Sequence, residues 1–517
     1  MGKGQREKGI VLSYVNMAVN FIIGIIFTPF MLRILSDSEY GLYSIASSVV
    51  AYLSLLDLGL GNSMIRFTAK YRAQGDKEGE ERVNGMFFAM FAVLGVLSLI
   101  IGAVLCLNMD IFFKRTFTPD EIHRAKVIFL ILLVNTCVSL VTTAFSAIVN
   151  SNERFVFNRT FNLVTNIIKY SAEAIVLASG FQSVGMTVTA VTVSIASKAV
   201  PMWYCFKVIK AKFRFDKFDK EVFKSIMNYS FFIFINIFVE QLYANTDKII
   251  LGSVIGTVAV AVYQVSANLQ KDFSQFSASI GGVFLPMLTA KVTKKAPMDE
   301  ISKIFLRVSR IQFIVLSFIF CGFVLFGKSF IYYWAGENYV GAYSITLVLM
   351  VPSIIPLSQS FGVTLLQAMN RHRIRSIVYL LISIFNVAVS IPLAMKWSGF
   401  GAAIGTAIGT LLGPILFMNY YYYKKIGFDI AGYWKNALKI AVVMAGLTGA
   451  AGVVMHFVYK QSILNMLIGI ALFVLVYMPV AWFLILNDEE KQMVRVVTDK
   501  IKSIFNRKNK KLKAEKS

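Results

Sequence analysis

The sequence predicts an all-α polytopic membrane protein of about fourteen transmembrane helices, in two parallel-repeat six-helix lobes plus two C-terminal helices. Three observations carry that prediction. Apolar stretches of membrane-spanning length follow one another through residues 1–486, the second half echoes the first, and basic residues crowd alternate connections. Only 15% of the chain is charged and 57% is hydrophobic, whereas soluble domains carry about 25% charged residues.

A bilayer core of roughly 30 Å takes about 20 apolar residues per helix. In lobe one, residues 1–210, such stretches begin near Ile10, Tyr40, Val83, Val127, Phe155 and Ser183. The first, Ile10–Leu32, follows Lys3, Arg6 and Lys8 as a secretory signal would. It is too long for a signal core and lacks a clear cleavage site, so it reads as a retained span. A basic connector, Lys207–Lys224, carries seven Lys or Arg into lobe two, residues 216–425. There the stretches begin near Ser225, Ala259, Ile301, Gly341, Ile374 and Phe400. Two more, near Lys435 and Ser462 within residues 435–486, have no counterpart in lobe one. Residues 487–517 read as a polar, basic cytoplasmic tail.

The repeat rests on matched residues. Gly61-Asn62-Ser63-Met64-Ile65-Arg66-Phe67-Thr68-Ala69-Lys70 returns 221 residues later as Gly282-Val283-Phe284-Leu285-Pro286-Met287-Leu288-Thr289-Ala290-Lys291. Ser179-Gly180-Phe181 returns as Ser398-Gly399-Phe400 after 219 residues, and Asn16 with Asn236 and Tyr43 with Tyr263 match at 220. Six spans is an even number, so both lobes begin on one side and are related by an axis along the membrane normal.

The net charge of +24 first suggests nucleic acid. Its placement argues otherwise. The N-terminus, the even-numbered connections and the tail hold 40 of the 52 Lys and Arg; the odd-numbered connections hold 8, and 4 lie within spans. This is the positive-inside pattern with both termini cytoplasmic, and the excess charge faces anionic lipid headgroups. Cys106, Cys137, Cys205 and Cys321 are isolated in apolar spans and read as small buried hydrophobes. His123, His372 and His456 are scattered without metal-ligand spacing, and no phosphate-binding glycine loop is present; Gly59-Leu60-Gly61 is only a fragment of one.

The chemistry lies inside the membrane, where charge is costly and usually faces a bundle interior or a water-filled cavity. Three spans carry polar residues at 4-3-4 spacing, which holds side chains on one helix face. Span 5 has Asn162, Asn166, Lys169 and Glu173; span 7 has Asn236, Glu240, Tyr243 and Asp247; span 8 has Gln264, Asn268, Lys271 and Gln275. Lys198 lies in span 6, and Lys248 and Asp272 sit beside two of the stripes. Each stripe alone could be interhelical glue: Lys169 and Glu173 can neutralise each other at i,i+4, and Lys198 and Lys248 can snorkel from span ends. Three stripes together point to a hydrated cavity for a polar, anionic cargo. Asn135, Ser139, Thr142, Thr143 and Ser146 in span 4, and Ser13, Asn16 and Asn20 in span 1, fit helix packing through small polar groups. Pro352 and Pro356 in span 10 read as hinges or as tolerated breaks.

The second span and its exit read Glu39-Tyr40-Gly41-Leu42-Tyr43, Leu56-Asp57-Leu58-Gly59-Leu60-Gly61-Asn62 and Ile65-Arg66-Phe67-Thr68-Ala69-Lys70-Tyr71. With Thr246-Asp247-Lys248-Ile249-Ile250-Leu251-Gly252, Tyr263 and Ala368-Met369-Asn370-Arg371, this resembles the polysaccharide transporter family, the oligosaccharide flippases of bacterial polysaccharide synthesis. The resemblance implies the multidrug/oligosaccharidyl-lipid/polysaccharide exporter fold. It implies movement of an undecaprenyl-pyrophosphate-linked oligosaccharide from the cytoplasmic to the external leaflet of the bacterial cell membrane, driven by an ion gradient. Related flippases carry an arginine inside span 1; this chain has none before Arg33, so the headgroup role falls to Lys169, Lys198 or Lys271.

The reading is thus a flippase working by alternating access, with no cofactor. Substrate contacts are expected from Lys271, Lys169, Lys198, Asn268, Asn166 and Asn236, and ion coupling from Glu240, Glu173, Asp272 or Asp247. Lipid-linked oligosaccharide and anionic membrane lipids are the expected partners, with polysaccharide polymerase and glycosyltransferases beside them. One alternative is an ion-coupled drug or small-molecule exporter of the same superfamily, which the lysines disfavour. Another is a membrane glycosyltransferase or ligase. The longest external loop, Asn108–Lys126, holds Asp110, Asp120 and Glu121 but is short for a catalytic site.

Overall fold

The computed structural model describes residues 3–216, 219–369, 371, 373–458, 461–492 and 495. Every regular element among them is helical. Most of the expected basic tail lies outside these residues, as do Asn370 and His372. In chain order the helices are α1 Lys3–Ile34, α2 Asp37–Leu53, α3 Leu60–Ala73, α4 Lys77–Leu107, α5 Met109–Phe113 and α6 Pro119–Ser151. Next come α7 Phe155–Ala178, α8 Ser183–Tyr204, α9 Lys220–Val254, α10 Thr257–Thr293 and α11 Met298–Trp334. The last are α12 Ala342–Ser358, α13 Ser360–Ala368, α14 Arg373–Thr410, α15 Met418–Tyr421, α16 Ile430–Val458 and α17 Ile463–Val480.

Local chemistry sets several boundaries. Ser36 caps α2 by accepting from the Glu39 amide, and Asp76 caps α4 by accepting from the Gly79 amide at 2.8 Å. Thr118 and Glu121 form a capping box at the start of α6, with Pro119 in its first turn. Gly256 separates α9 from α10 at φ 129°, a conformation that side-chain-bearing residues rarely adopt.

Eleven helical stretches among the described residues are long and apolar enough to cross a membrane. One of them, Ile374–Ile426, holds a hairpin: Trp397 and Ser398 leave helical geometry, Ser398 at φ 52°. Gly401, Gly405, Gly409 and Gly413 then lie against Leu393, Ser390, Asn386 and Ile382 in turn, so small residues let the two arms approach closely. The matched Ser-Gly-Phe motifs fall on this turn and on the α7–α8 turn, where Gly180 has φ 87°. Helices α7 and α10, which bear two of the polar stripes, are not among the eleven.

Helix α4 packs on α6, α6 on α8, and α1 and α8 on α7. Farther along the chain, α14 packs on α9, α12 on α10 and α11, and α16 on α11. Helix α2 lies between the two groups, against α6 on one side and α9 and α10 on the other. Large apolar side chains such as Val93, Ile100, Ile175, Val442 and Leu475 cover the outside, while Asn84, Asp247, Lys248 and Gln312 are buried. That inversion suits a lipid surround. Buried Arg310 ties α11 to the segment after α17: it donates to Glu490 at 2.8 Å, to Asn436 Oδ1 at 3.1 Å and to the Ile485 carbonyl.

Candidate functional site

The polar stripes meet in a row of three adjoining chambers across the middle of the bundle. The largest, about 630 Å³, lies among α9, α10, α12 and α14 and is faced by Asn236, Glu240, Tyr243, Lys248, Gln264, Asn268, Lys271, Arg375 and Tyr379. The second, about 260 Å³, is faced by Tyr40, Tyr43, Lys169 and Glu173 and shares Asn245, Lys248, Gln264 and Asn268 with the first. The third, about 410 Å³, is lined by Asn16, Asn20, Asn135, Arg159, Asn162, Asn166, Lys169 and Lys198 and shares Tyr43 and Lys169 with the second.

Geometry within the row follows from the 4-3-4 spacing, which turns one face of each helix inward. Lys169 lies 3.7 Å from Glu173 and 5.3 Å from the centre of the Tyr170 ring. Asn166 donates to Asn20 at 3.0 Å, and Asn16 donates to the Leu12 and Arg159 carbonyls. Gln264 donates to Asn268 at 2.8 Å, and Asn268 donates to the Tyr40 hydroxyl at 3.2 Å, bridging α10 and α2. Ser376 donates to Asn236 at 2.8 Å, and the Arg375 guanidinium stands 4.8 Å from the Tyr379 ring centre. Lys271 is exposed to the first chamber, 14 residues into α10, roughly 21 Å along its axis.

The expected residues separate into three groups. Lys271, Lys169, Lys198, Asn268, Asn166, Asn236, Glu240 and Glu173 line the row. Asp247 lies behind its wall, buried at 4% exposure, accepting from the Tyr263 hydroxyl and from Thr406 at 2.7 Å. Asn386 donates to that same Thr406 oxygen at 3.3 Å. Asp272 and Gln275 line none of the three chambers; Gln275 donates to Asp272 at 3.2 Å. Lys248 does not snorkel: it is 8% exposed and faces two chambers, since α9 runs on to Val254.

Arg159 and Arg375 are site residues the sequence reading places among connection charges. Both lie within a few residues of a helix start, where residue order alone cannot separate a loop charge from a chamber charge. The signal that finds Arg159 is its register: it precedes Asn162 by three residues on the span 5 stripe.

At both ends of the bundle the two groups of helices touch. At the end where α2 and α10 begin, Glu121 accepts from Ser38 and Thr257, Thr116 donates to the Gly252 carbonyl at 2.7 Å, and Asn338 donates to Asp37 at 2.9 Å. Buried Glu39 pairs with Arg124 at 2.5 Å and accepts from Ser183 there. At the other end Ser63 and Ser230 lie 2.6 Å apart and Arg66 stands 4.3 Å over the Tyr229 ring. Among the described residues no group of three or more His, Cys, Asp or Glu is placed to hold a metal ion.

Comparison with known proteins adds family and fold. Residues 6–292 match the family described as "Polysaccharide biosynthesis protein". A "Putative O-antigen transporter" of Shigella flexneri is 22% identical over 413 residues, covering 77% of this chain and 93% of that protein. Among solved structures, the lipid II flippase MurJ in an inward closed conformation superposes with a TM-score of 0.72 at 16% identity, over 90% of this chain and 98% of that one. An inward-facing multidrug resistance MATE family transporter of the MOP superfamily gives 0.60 at 14% identity, over 83% and 98%.

Proposed function

Because the chain belongs to the polysaccharide biosynthesis protein family, we propose that it moves an undecaprenyl-pyrophosphate-linked oligosaccharide from the cytoplasmic to the external leaflet of the bacterial cell membrane. The observation that carries this reading is the row of chambers: six cations, Arg159, Lys169, Lys198, Lys248, Lys271 and Arg375, face the interior of a bundle whose outside is apolar. A cation held out of water needs an anion, and a pyrophosphate is a compact one with several acceptor oxygens. The amides beside the cations suit sugar hydroxyls, which both donate and accept. The lipid tail stays in the bilayer, against the apolar outside of the bundle.

The cycle proposed is alternating access between two lobes, residues 1–210 and 216–425. Contacts at one end part while those at the other hold, and the cargo crosses with its headgroup in the row. Glu240 and Glu173 face the row and are the nearest candidates for a coupling proton or cation; Asp247 is a buried alternative, and Asp272 stands farther off. An ion-coupled drug exporter is the competing reading, since a multidrug transporter shares the fold.

Reconstitution tests the choice. Vesicles containing the full chain should move a fluorescent lipid-linked oligosaccharide to the leaflet where quencher reaches it, at a rate protein-free vesicles do not show. Uptake of cationic drugs with no movement of the oligosaccharide overturns the proposal in favour of the exporter.

A further inference from the structure

The third chamber differs from the other two in its charge. Elsewhere cations have carboxylates beside them: Lys169 has Glu173 at 3.7 Å, Lys248 follows Asp247, and Arg375 shares its chamber with Glu240. Arg159 and Lys198 have none, because no Asp or Glu lines the 410 Å³ chamber they face. The same chamber is lined by amides, Asn16, Asn20, Asn135, Asn162 and Asn166.

These features select among anions. Phosphate oxygens only accept, so a phosphate would satisfy the two cations and offer no donor to the amide oxygens. A carboxylated sugar answers both: its acid group meets Arg159 and Lys198, and its hydroxyls exchange hydrogen bonds with the amides. Arg presents a planar fork matched to a carboxylate, with Lys as a second, mobile charge. The volume is of ligand size.

We propose that the chamber formed by α1, α6, α7 and α8 is a glycan subsite that selects an acidic sugar, with Arg159 and Lys198 on its carboxylate. This rests on the flippase reading and adds to it: the cargo is negatively charged in its oligosaccharide as well as in its pyrophosphate.

Three soluble probes separate the two claims: farnesyl pyrophosphate, farnesyl pyrophosphate bearing a glucose disaccharide, and the same bearing a glucuronic acid disaccharide. Binding to the purified full chain is measured by thermophoresis. The acidic probe should bind about tenfold tighter than the neutral one, and the advantage should shrink at high salt. In Arg159→Gln/Lys198→Gln the acidic probe should lose its advantage over the neutral one. Equal binding of the acidic and neutral probes by the parent chain, which needs no variant to fold, overturns the subsite. Equal weakening of all three probes in the double variant, with the acidic advantage kept, also overturns it, by placing the pyrophosphate alone in this chamber, and leaves the flippase reading intact. No binding of any probe by the parent chain counts against both.

Discussion

Lys271 is the residue on which the cationic row depends most, because it stands farther from a helix end than the other five cations. It sits mid-helix, faces the largest chamber, and has only Asp272 beside it, on another face of α10. Placing such a charge at membrane depth costs roughly 2.5–3.5 kcal/mol on insertion scales. Lys271→Ala should therefore insert and accumulate as well as the parent or better, yet fail in transport. Lys271→Arg should keep part of the activity, because the charge remains although its shape changes. Complementation of a flippase-deficient strain at matched protein levels reads the difference. Full restoration of surface polysaccharide by the alanine variant would make Lys271 structural. At this scale the sequence spoke clearly where residues shared a helix face: eight of its ten expected residues line the row. It was silent where lining depends on packing. Asp272, adjacent to Lys271, turns away from the chambers; Arg375, on the opening turns of α14, looks in.

Helix α2 shows why the run Glu39-Tyr40-Gly41-Leu42-Tyr43 reads as it does. Glu39 pairs with Arg124 and accepts from Ser183, fixing α2 against α6 and α8. Tyr40 and Tyr43 face the second chamber. Gly41 makes the crossing with α10: a Cβ there would stand 2.1 Å from the Thr257 carbonyl oxygen and 2.7 Å from its carbon. Backbone cannot swing aside as a flexible side chain can, so Gly41→Ala must push the two helices apart. The expected loss is roughly 1–3 kcal/mol, seen as a lower melting temperature of the purified protein. Gly446→Ala is the control. It lies within α16 with nothing within 4 Å of the added carbon, so it should melt with the parent or above it, alanine being the better helix former. If both variants melt alike, the crossing is looser than drawn here. The motif was legible as letters before the structure, but its reasons were not, since Arg124, Ser183 and Thr257 are far away in sequence.

Across the whole molecule, the distribution of Lys and Arg makes a claim about direction that packing extends. The connections 66–82 and 207–216, both assigned to the cytoplasm by charge, meet at one end of the bundle through Arg214–Glu78 at 3.3 Å, Arg82–Asp216 at 3.6 Å and Lys212–Glu81 at 3.9 Å. The opposite end gathers Arg124, Asp120, Lys126 and Asp110, where Lys126 at 2.5 Å holds the Asp110 carboxyl below the usual carboxylate range. Segments that touch must share a side of the membrane, so labelling any one of them fixes its neighbours. Packing cannot say which end is cytoplasmic, because an apolar belt looks the same from both sides; only the basic excess breaks that symmetry. Single cysteines at Gly75, Ala211 and Lys295 should therefore resist a membrane-impermeant thiol reagent in intact cells and react after lysis. Cysteines at Thr118, Asn338 and Gln461 should react without lysis. Gly75 and Ala211 lie in the two connections that meet, so they must behave alike whichever way the bundle points. Labelling both in intact cells would invert the protein and, with it, the direction assigned to the cargo. Labelling only one would break the packing of the basic end itself.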